Sequence, residues 1–472
     1  MRATKNKMAE KNTILDRLRA QRVLIVGLGA TGLSCARFLV AQGVEVVVTD
    51  NRVNPPGLEV LSRELSGTTV FVGGFEAEAF ERADILLLSP GVSLREPLVA
   101  EARARGAEIL GDVELFARLV RAPVIAITGS NGKSTVTTLV GEMARAAGRH
   151  VALGGNIGVP VLDLLDQSDD QPAHDLYVLE LSSFQLETTH SLETVAATIL
   201  NISEDHMDRY TSLADYVAAK ARVFHGSDAL IVNRDDARVT ATLDMLRGGR
   251  RLIHFGLQPA AEGDFGLCDE RGEEWLCLGH EALMPVARLR LRGRHNLANA
   301  LAALALGQAA GLPMTAMLET LQHFGGLPHR CQWLGEYQGV NWYNDSKATN
   351  VGAALAAING VEAEHIVLIA GGQGKGQDFT PLAGPLAQRA RAVVLLGEDG
   401  AVIEAALQRV LGADAPNLCH VQDMSEAVTC AARIARPGDA VLLSPACASF
   451  DMFSGFEQRG EVFMEQVEGQ LK

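Results

Sequence analysis

Short apolar runs that read as buried strands alternate with helical patterns along the whole chain, and this alternation limits the fold more than any other feature of the sequence. Strand-like runs at Val23–Val26, Pro123–Thr128 and Val340–Tyr343 lie in three successive blocks. Strands alternating with helices are typical of parallel α/β sheets. The chain has 472 residues, enough for about three domains of ordinary size. The sequence therefore predicts an α/β fold in three domains.

The second block departs from simple alternation towards its end. We expect a β-rich patch at Trp275–Leu278 and Arg288–Leu291, followed by a long Ala/Leu helix from about Asn296 to Ala310. The turn-like segment Phe324–Pro328 then predicts a hinge before the third block. On this basis we place the three domains at residues 1–112, 113–326 and 327–472.

Charge and composition exclude several classes of protein. Lys and Arg total 42 and Asp and Glu total 57, a net charge of −15, and a chain this acidic is a poor general binder of nucleic acid or anionic membranes. No apolar run approaches the ~18 residues of a membrane span, and the polar start Met1–Ala20 lacks the apolar core of a signal peptide. The 7 cysteines are scattered without a C-x-x-C pair, so we expect buried thiols in a reducing cytoplasm and no disulfide framework.

A glycine-rich loop follows the first predicted strand. The run Gly27-Leu28-Gly29-Ala30-Thr31-Gly32 opens a helix, and Asp50 ends the next strand. Such a loop lets the backbone approach a diphosphate at a helix N-terminus. Three interpretations remain open: NAD with the carboxylate on its ribose, another diphosphate such as a nucleotide sugar, or a tight turn that binds nothing. The Ser89–Gly91 loop ends the third strand at the same sheet edge and could line the same crevice.

A second loop has the composition of an ATP-binding phosphate loop. It reads Thr-Gly-Ser-Asn-Gly-Lys-Ser-Thr over residues 128–135. The usual pattern G-x-x-x-x-G-K-[ST] requires glycine where this chain has Ile127, so the loop is a shortened variant that begins at Gly129. Its functional half is intact, because Lys133 is placed to reach the terminal phosphates and the Ser134 hydroxyl to ligate Mg²⁺. The alternative is an incidental glycine turn.

Two phosphate-binding loops argue against a simple dehydrogenase, which would have no use for ATP. They fit an enzyme that holds one nucleotide-bearing substrate and energises it with ATP. Glu180 ends one strand of the second block and His206 follows another, at the sheet edge where ligands of α/β proteins gather. We therefore predict that both side chains hold Mg²⁺ or phosphate. From its local sequence alone, Lys220 reads as a solvated helix lysine.

Several runs of the sequence resemble the Mur ligase family. They are the phosphate loop at 128–135, Gly154–Gly158, Glu180–Glu187, Glu204–Tyr210, Gly293–Asn296 with Asn299, and Leu327–Arg330. Within that family, Asn344–Asn350 and Ser444–Ser449 resemble the members that join D-glutamate to UDP-N-acetylmuramoyl-L-alanine (UDP-MurNAc-L-Ala). The matching runs extend from Gly27 to Phe456, which is nearly the whole chain.

The resemblance implies a Rossmann-like N-terminal domain for the UDP substrate, a central P-loop-type ATP-binding domain and a Rossmann-like C-terminal domain for D-glutamate. It implies an ATP-dependent ligase of cytoplasmic peptidoglycan precursor synthesis, in which D-glutamate attacks an acyl phosphate of UDP-MurNAc-L-Ala through a tetrahedral intermediate. The implied cofactors are ATP, Mg²⁺ at two sites and CO₂ held as a carbamate on Lys220. The expected partners are these small molecules, with no nucleic acid and no membrane insertion, and we expect a monomer.

The resemblance also assigns candidate site residues. Catalytic roles fall to Lys133, Glu180, His206 and Lys220, and metal binding to Ser134, Glu180, His206 and carbamylated Lys220. ATP contacts fall to Gly129, Ser130, Asn131, Gly132, Lys133, Ser134, Thr135, Asn296, Asn299, Arg330 and Asp345. UDP-substrate contacts fall to Gly29, Ala30, Thr31, Asp50, Asn51, Arg52, Ser89, Pro90, Gly91 and Asn156. D-glutamate contacts fall to His329, Lys347, Thr349, Lys375, Ser449, Phe450 and Phe456.

The third block also has a chemical rationale for binding D-glutamate, because a ligand with two carboxylates needs separated cations. Lys347 and Lys375 each follow a strand of that block. The Gly371–Gly376 loop around Lys375 lacks the Gly-Lys-[Ser/Thr] ending of a phosphate loop, which favours the carboxylate role. Three alternatives remain: an NAD-dependent oxidoreductase with an ATP-binding appendage, a non-catalytic ATP switch, and another Mur enzyme or a polyglutamate synthase.

Overall fold

A computed structural model describes residues 13–165, 174–207, 209–246, 249–291 and 293–471. Three large sheets follow one another along the chain, and helices connect most of their parallel strands. The predicted fold class, α/β in three domains, is confirmed. Among the described residues, no helix is long and apolar enough to cross a membrane.

The N-terminal domain is a five-stranded parallel sheet in the order β3-β2-β1-β4-β5. Its elements are β1 (Val23–Val26), α1 (Ala30–Ala41), β2 (Val46–Asp50), α2 (Leu58–Glu64), β3 (Thr69–Val72), α3 (Ala77–Arg82), β4 (Ile85–Leu88), α4 (Pro97–Ala104) and β5 (Glu108–Gly111). Helix α5 (Asp112–Leu119) then leads into the central domain. Strands β1 and β4 are buried and wholly apolar, as expected of central strands in a parallel sheet. The loops after β1, β2 and β4 meet at one edge of the sheet, because these strands are neighbours.

The central domain is a nine-stranded sheet in the order β16-β15-β14-β13-β12-β10-β6-β8-β7. Its first elements are β6 (Val124–Thr128), α6 (Lys133–Ala146), β7 (Val151–Gly155), β8 (Leu176–Glu180), α7 (Ser183–Glu187), β9 (Glu193–Thr194), β10 (Ala196–Ile199), α8 (Leu213–Ala221), β11 (Gly226–Ser227), β12 (Ala229–Asn233) and α9 (Ala237–Ala241). The domain continues with β13 (Arg251–Phe255), β14 (Phe265–Glu270), β15 (Glu273–Leu278), β16 (Glu281–Pro285), α10 (Arg294–Ala309) and α11 (Met314–His323). Strands β9 and β11 pair separately as a small parallel sheet.

The C-terminal domain is a six-stranded sheet in the order β17-β18-β22-β19-β20-β21, parallel except for the antiparallel pair β17–β18. Its elements are β17 (Gln332–Tyr337), β18 (Val340–Asn344), α12 (Val351–Gly360), β19 (Ile366–Gly371), α13 (Ala383–Arg389), β20 (Ala390–Leu396), α14 (Gly400–Leu411), β21 (Asn417–His420), α15 (Met424–Ile434), β22 (Ala440–Leu443) and α16 (Phe456–Leu471). The segment Phe324–Pro328 lies between α11 and this sheet, so its predicted role as a hinge stays a prediction.

Two expectations from the sequence are wrong in the β-rich end of the central domain. Arg288–Leu291 is not a strand; a 3₁₀ turn at Val286–Arg288 follows β16, and Leu289 and Leu291 are buried as apolar contacts. The second wrong expectation concerns the cysteines, which the sequence predicts to be thiols. Cys268 of β14 and Cys277 of β15 instead form a disulfide, because the antiparallel pairing brings them together. Five other cysteines are free thiols, so this one bond does not amount to a disulfide framework.

One apolar core joins the N-terminal and central domains. It runs from Ile25 and Val48 of the first sheet, through Phe116 of α5, to Ala126 and Leu179 of the central sheet. The C-terminal sheet instead has its own apolar core on each face. Among the described residues, the first two domains therefore share a continuous apolar interior, whereas the cores of the third domain contain residues of that domain alone.

One contact between the central and C-terminal domains depends on a glycine. A Cβ atom built on Gly360, the last residue of α12, would lie 2.2 Å from Nδ1 of His295 in α10. A Cβ on Gly293, just before α10, would lie 2.6 Å from the carbonyl oxygen of Gly360. The central and C-terminal domains approach this closely only because neither glycine has a side chain.

We expect Gly360→Ala to separate the central and C-terminal domains, because the new methyl group would overlap the half-buried imidazole of His295. The measurement is small-angle X-ray scattering, and the expected result is a larger radius of gyration than that of the parent protein. Gly384→Ala in α13 is the matched control, since a Cβ there would meet nothing within 4 Å. Identical scattering from both variants and the parent would contradict the contact.

The carboxyl group of Asp112 is buried at the start of α5, inside the shared core. Its Oδ2 accepts a hydrogen bond from Gln185 Nε2 at 3.3 Å, while its Oδ1 has no hydrogen-bond partner among the described residues. Burial raises the pKa of Asp112 to about 6, although hydrogen bonds from the Val113 amide and Gln185 oppose the rise. Burial therefore keeps the carboxyl group protonated in the folded protein up to about pH 6.

We expect Asp112→Asn to flatten the pH dependence of unfolding. A carboxyl group with a raised folded pKa stabilises the native state fully below its unfolded pKa of ~4, and this stabilisation is lost as pH rises through about 6. The variant should therefore gain about 1 to 3 kcal/mol on the parent at pH 8 and nothing at pH 4. Urea unfolding from pH 4 to 8 measures this, with the exposed Asp244→Asn as the control; parallel curves for Asp112→Asn and the parent would refute it.

Candidate active site

A cavity of about 1010 Å³ lies where the carboxyl edge of the central sheet faces the C-terminal domain. The described residues that line it include ten of the eleven predicted ATP contacts, Gly129 being the exception. They also include the predicted metal ligands Ser134, Glu180 and His206, the predicted UDP-substrate contact Asn156, and His329, Lys347, Thr349 and Phe456 from the predicted D-glutamate set. The structure thus brings residues predicted from two separate domains to one site.

The phosphate loop turns from β6 into α6 through two glycines with positive φ angles, Gly129 at +153° and Gly132 at +82°. A Cβ on Gly132 would lie 2.5 Å from Oδ1 of Asn299 in α10, so this position has no room for a side chain. Lys133 Nζ donates to the carbonyl oxygens of Gly129 and Ser130, each at 2.8 Å. Burial lowers the pKa of Lys133, and the charges of Glu180 and Asp205 oppose that effect.

Glu180 is buried at the end of β8, next to the start of α6. Its Oε2 accepts a hydrogen bond from Ser134 Oγ at 2.6 Å, and its Oε1 accepts one from Asn156 Nδ2 at 2.8 Å. Arg330 of the C-terminal domain donates from Nη2 to the same Ser134 hydroxyl at 2.6 Å. Ser134 therefore contacts both the buried carboxylate of Glu180 and the guanidinium of Arg330 from another domain.

The donor set around Ser134 partly fits a hard cation. A hydroxyl and a carboxylate in contact are ligands that Mg²⁺ prefers, and Ser134 with Glu180 supplies both. Among the described residues, however, no group of three or more His, Cys, Asp or Glu side chains could hold a metal ion. His206 lines the cavity, with its side chain 49% exposed and its ring 3.6 Å from Asp205 Oδ2. The residues present thus fit one Mg²⁺ shared with phosphate oxygens and do not by themselves form a second all-protein site.

Lys220 lies behind the phosphate loop and is not solvated, contrary to the reading of its local sequence. Its side chain is buried, and Nζ donates to the Gly129 carbonyl oxygen at 2.9 Å and lies 4.6 Å from the ring centroid of Tyr216. Burial lowers the pKa of Lys220 well below its usual value, and the nearby charge of Lys133 lowers it further. Lys133 and Lys220 thus both donate to the carbonyl oxygen of Gly129.

The C-terminal domain adds charged side chains to the same cavity. Asp345, at the end of β18, accepts hydrogen bonds from Ser444 Oγ at 2.8 Å and from the Cys331 amide at 3.0 Å, and burial raises its pKa to about 7. Lys347 Nζ lies 3.6 Å from the ring centroid of Phe456, and burial, with the charge of Arg330, lowers its pKa to about 8.

The rest of the predicted D-glutamate set lies outside the lining of this cavity. Lys375 is exposed, and Phe450 is 67% exposed, while Ser449 is buried. Their loops are neighbours, because Gln373 and Ala448 exchange two backbone hydrogen bonds of 2.9 Å. The structure thus pairs the loops of Lys375 and Ser449 with each other but does not bring these side chains into the cavity.

The predicted UDP-substrate residues other than Asn156 gather at the carboxyl edge of the N-terminal sheet, apart from the cavity. Ser89 Oγ donates to the Gly27 carbonyl oxygen at 2.8 Å, so the loops after β1 and β4 touch. Asp50 is buried and accepts hydrogen bonds from the Leu28 amide at 2.7 Å and from Arg52 at 2.7 to 2.9 Å. Burial alone would raise the pKa of Asp50, but the hydrogen bonds from Arg52 and Leu28 outweigh it and lower the value. The carboxylate that would bind the ribose of NAD is thus already committed to bracing the glycine loop.

Three models of protein domains match successive parts of the chain. They describe a Mur ligase MurD-like N-terminal domain at residues 21–111, a Mur ligase middle domain at 127–307, and a Mur ligase glutamate ligase domain at 329–447. The chain belongs to the Mur ligase family. The predicted membership is therefore confirmed over most of its length.

Curated relatives within the Mur ligase family match nearly the full chain. UDP-N-acetylmuramoylalanine–D-glutamate ligase of Nitrosococcus oceani is 55% identical over 445 residues, covering 94% of this chain and 96% of the relative. The protein of the same name from Pseudomonas aeruginosa is 52% identical and covers 94% of this chain and 97% of the relative.

Solved structures share the Mur ligase fold at lower identity. A pseudomurein peptide ligase type C from Methanothermus fervidus superimposes with a TM-score of 0.58 at 18% identity, covering 95% of this chain and 99% of that one. UDP-N-acetylmuramate-alanine ligase of Thermotoga maritima gives 0.57 at 19% identity, with coverages of 95% and 99%. These identities support the fold alone.

Three supporting residues of this Mur ligase escaped the sequence analysis. Asn201 exchanges two hydrogen bonds with the Asn131 backbone, at 2.8 and 3.0 Å, and Tyr216 bonds Ser130 Oγ at 3.0 Å. Arg459 is buried and donates to the carbonyl oxygens of Ser346 at 2.7 Å and Cys447 at 3.1 Å, which joins the loops before Lys347 and Ser449. Tyr216 stands four positions before Lys220 on the same helix face, a spacing that could have linked the two; Asn201 and Arg459 gave no comparable signal.

We expect Lys133→Ala to weaken binding of a nucleoside triphosphate about 10- to 100-fold, the usual effect of losing one or two charge-assisted hydrogen bonds. Titration calorimetry with ATP and Mg²⁺ measures the change. Arg145→Ala serves as the control, because this residue is also a cation of α6 but lies in its last turn, where it pairs with Glu142. An unchanged dissociation constant for Lys133→Ala would remove this lysine from the phosphate site.

Proposed function

We propose that this Mur ligase catalyses the ATP-dependent addition of D-glutamate to UDP-MurNAc-L-Ala, a cytoplasmic step of peptidoglycan precursor synthesis. The observation that carries the proposal is the cavity shared by the phosphate loop and the C-terminal domain, in which Arg330 contacts Ser134 at 2.6 Å. Relatives at 52 to 55% identity carry the name of this activity. The enzyme acts on small molecules, and we infer that it does so as a monomer.

The reaction couples two steps. A carboxylate is a poor acyl donor, so the terminal carboxylate of UDP-MurNAc-L-Ala attacks the γ-phosphorus of ATP, forming an acyl phosphate and releasing ADP. The amine of D-glutamate then attacks the acyl carbon, and the tetrahedral intermediate loses phosphate and a proton as the amide forms. Both steps need positioned reactants and neutralised oxygen charge more than covalent help from the protein.

Phosphate binding falls to the central domain in this proposal. The amides of Gly129–Thr135 face the phosphates, Lys133 exchanges its carbonyl partners for phosphate oxygens, and Arg330 donates to the same group from the other side. Asn296 and Asn299, which bond each other at 3.0 Å, face the adenine, and Asp345 the ribose. Ser134 and Glu180 hold Mg²⁺, which supplies neutralisation of the phosphate charge when bound.

A carbamate on Lys220 would resolve the crowding of cations behind the phosphate loop. Reaction of the neutral amine with CO₂ forms an N–C bond and releases a proton, which replaces an ammonium by an anion. That anion would face Lys133 and, with His206, provide oxygen and nitrogen donors for a second Mg²⁺. The support is the burial of Lys220 and its contact with the Gly129 carbonyl oxygen at 2.9 Å.

The substrates enter from the two outer domains. The UDP group lies on the loops after β1, β2 and β4, with Gly29–Thr31, Asn51, Arg52 and Ser89–Gly91 as contacts, while Asn156 meets the muramoyl end. Asp50 stabilises the glycine-rich loop there by accepting hydrogen bonds from the Leu28 amide and from Arg52. D-glutamate lies against His329, Lys347, Thr349 and Phe456, and the loops that carry Lys375, Ser449 and Phe450 close on its second carboxylate.

We expect phosphate release only when ATP, Mg²⁺, UDP-MurNAc-L-Ala and D-glutamate are all present, because each supplies one reacting group. The measurement is phosphate release with a panel of single amino acids that includes L-glutamate, L-lysine and diaminopimelate. Turnover with L-lysine or diaminopimelate but not D-glutamate would overturn the proposed specificity. A change in nicotinamide absorbance on adding substrate would instead favour an oxidoreductase.

A further inference from the structure

Arg209 of the central domain connects that domain to the loop after β4 in the N-terminal domain. Its side chain is 12% exposed. Its guanidinium donates from Nη1 to the Pro90 carbonyl oxygen at 3.0 Å and from Nη2 to the Val92 carbonyl oxygen at 3.2 Å. Within its own domain, Nη2 pairs with Glu187 Oε2 at 2.8 Å, and the group lies 4.3 Å from the ring centroid of Phe184.

The contacts of Arg209 continue towards both sites. On the N-terminal side, the Val92 amide bonds the Ser89 carbonyl oxygen at 2.9 Å, and Ser89 Oγ bonds the glycine loop at the Gly27 carbonyl oxygen at 2.8 Å. On the central side, the rings of Phe184 and His206 are 4.8 Å apart, and His206 lines the cavity. A continuous series of contacts therefore runs from the UDP-substrate loops to the wall of the phosphate cavity.

The contact of Arg209 with the loop after β4 fixes both the orientation of that loop and its distance from the central domain. A guanidinium is planar and rigid, so two nitrogens bonded to the carbonyl oxygens of Pro90 and Val92 leave this loop little freedom. The substrate UDP-MurNAc-L-Ala is held at its UDP end, yet its terminal carboxylate must come within ~3.5 Å of the γ-phosphorus of ATP. Even a 1 Å error in that spacing can cost ~100-fold in rate.

We propose that Arg209 is a positioning residue that sets the spacing between the UDP-substrate loop and the phosphate loop. This inference rests on the proposed function, since it assigns Arg209 the alignment of the tethered carboxylate with ATP. Arg209 touches neither reacting group in this role. Its loss should therefore lower kcat and leave the binding of each substrate alone largely intact.

The test compares Arg209→Ala and Arg209→Lys with a matched control. Arg222→Ala also removes an arginine that donates to two carbonyl oxygens, those of Leu186 and Thr189, each at 2.7 Å, but both acceptors lie in the central domain. We expect kcat for phosphate release to fall about 10- to 100-fold in Arg209→Ala and less in Arg209→Lys. Dissociation constants for UDP-MurNAc-L-Ala alone and for a non-hydrolysable ATP analogue alone should change less than about threefold. Amide exchange across residues 89–96 should rise in Arg209→Ala and not in Arg222→Ala.

Three results would overturn the inference: an unchanged kcat, a loss confined to substrate binding, or an equal loss of kcat in Arg222→Ala. If Arg209→Ala does not fold, Arg209→Lys carries the same comparison, because it keeps the charge and loses the planar fork. A parent enzyme that releases no phosphate would instead refute the proposed function, so the two failures are distinguishable.

Discussion

The buried charge of Glu180 is the interaction on which the site depends. Lys133, Arg330 and Lys347 line the cavity and are partly buried, and Lys220 is buried behind the phosphate loop. Removal from water lowers the pKa of each of these four cations. The carboxylate of Glu180 raises the pKa of all four. It also accepts hydrogen bonds from Ser134 and Asn156, which makes it the common electrostatic partner of the phosphate loop and the C-terminal domain.

This arrangement explains how an acidic chain can bind highly charged anions. The net charge of −15 repels nucleotides at long range, but that repulsion is screened over ~10 Å by salt. Inside the cavity the dielectric is lower, so a few well-placed cations and backbone amides dominate. The mutual repulsion of those cations is relieved when phosphate oxygens enter, which favours the bound state over the empty one.

The sequence predicted most of the architecture, because parallel strands that are buried on both faces leave plain apolar runs. The predicted run Val23–Val26 coincides with β1, and Val340–Tyr343 lies within β18. The phosphate loop follows from its glycines and Lys133. Arg288–Leu291 was misread because alternating apolar residues also suit a turn that packs on a core. Leu289 and Leu291 are buried there by packing on the core, and the segment does not pair as a strand.

The parts of the site that could not be predicted are those that depend on contacts distant in sequence. Nothing near Lys220 shows that it is buried, because its surroundings come from β6 and the phosphate loop, about 90 residues away in the chain. The carboxylate of Asp50 fits a ribose contact by spacing alone, and only the structure shows that Arg52 and Leu28 already occupy it. Arg209 likewise sits in a run that pointed to metal binding, while its partners are carbonyl oxygens of another domain.

The distribution of apolar cores has a consequence for how such enzymes diversify. The first two domains share one apolar interior, so a substitution in the core of either domain alters the packing of both. The third domain keeps its own interior on both faces of its sheet. Natural variation can therefore rebuild the pocket for the incoming amine without disturbing the machinery that activates the acid, and one scaffold can extend a peptide with chemically different residues.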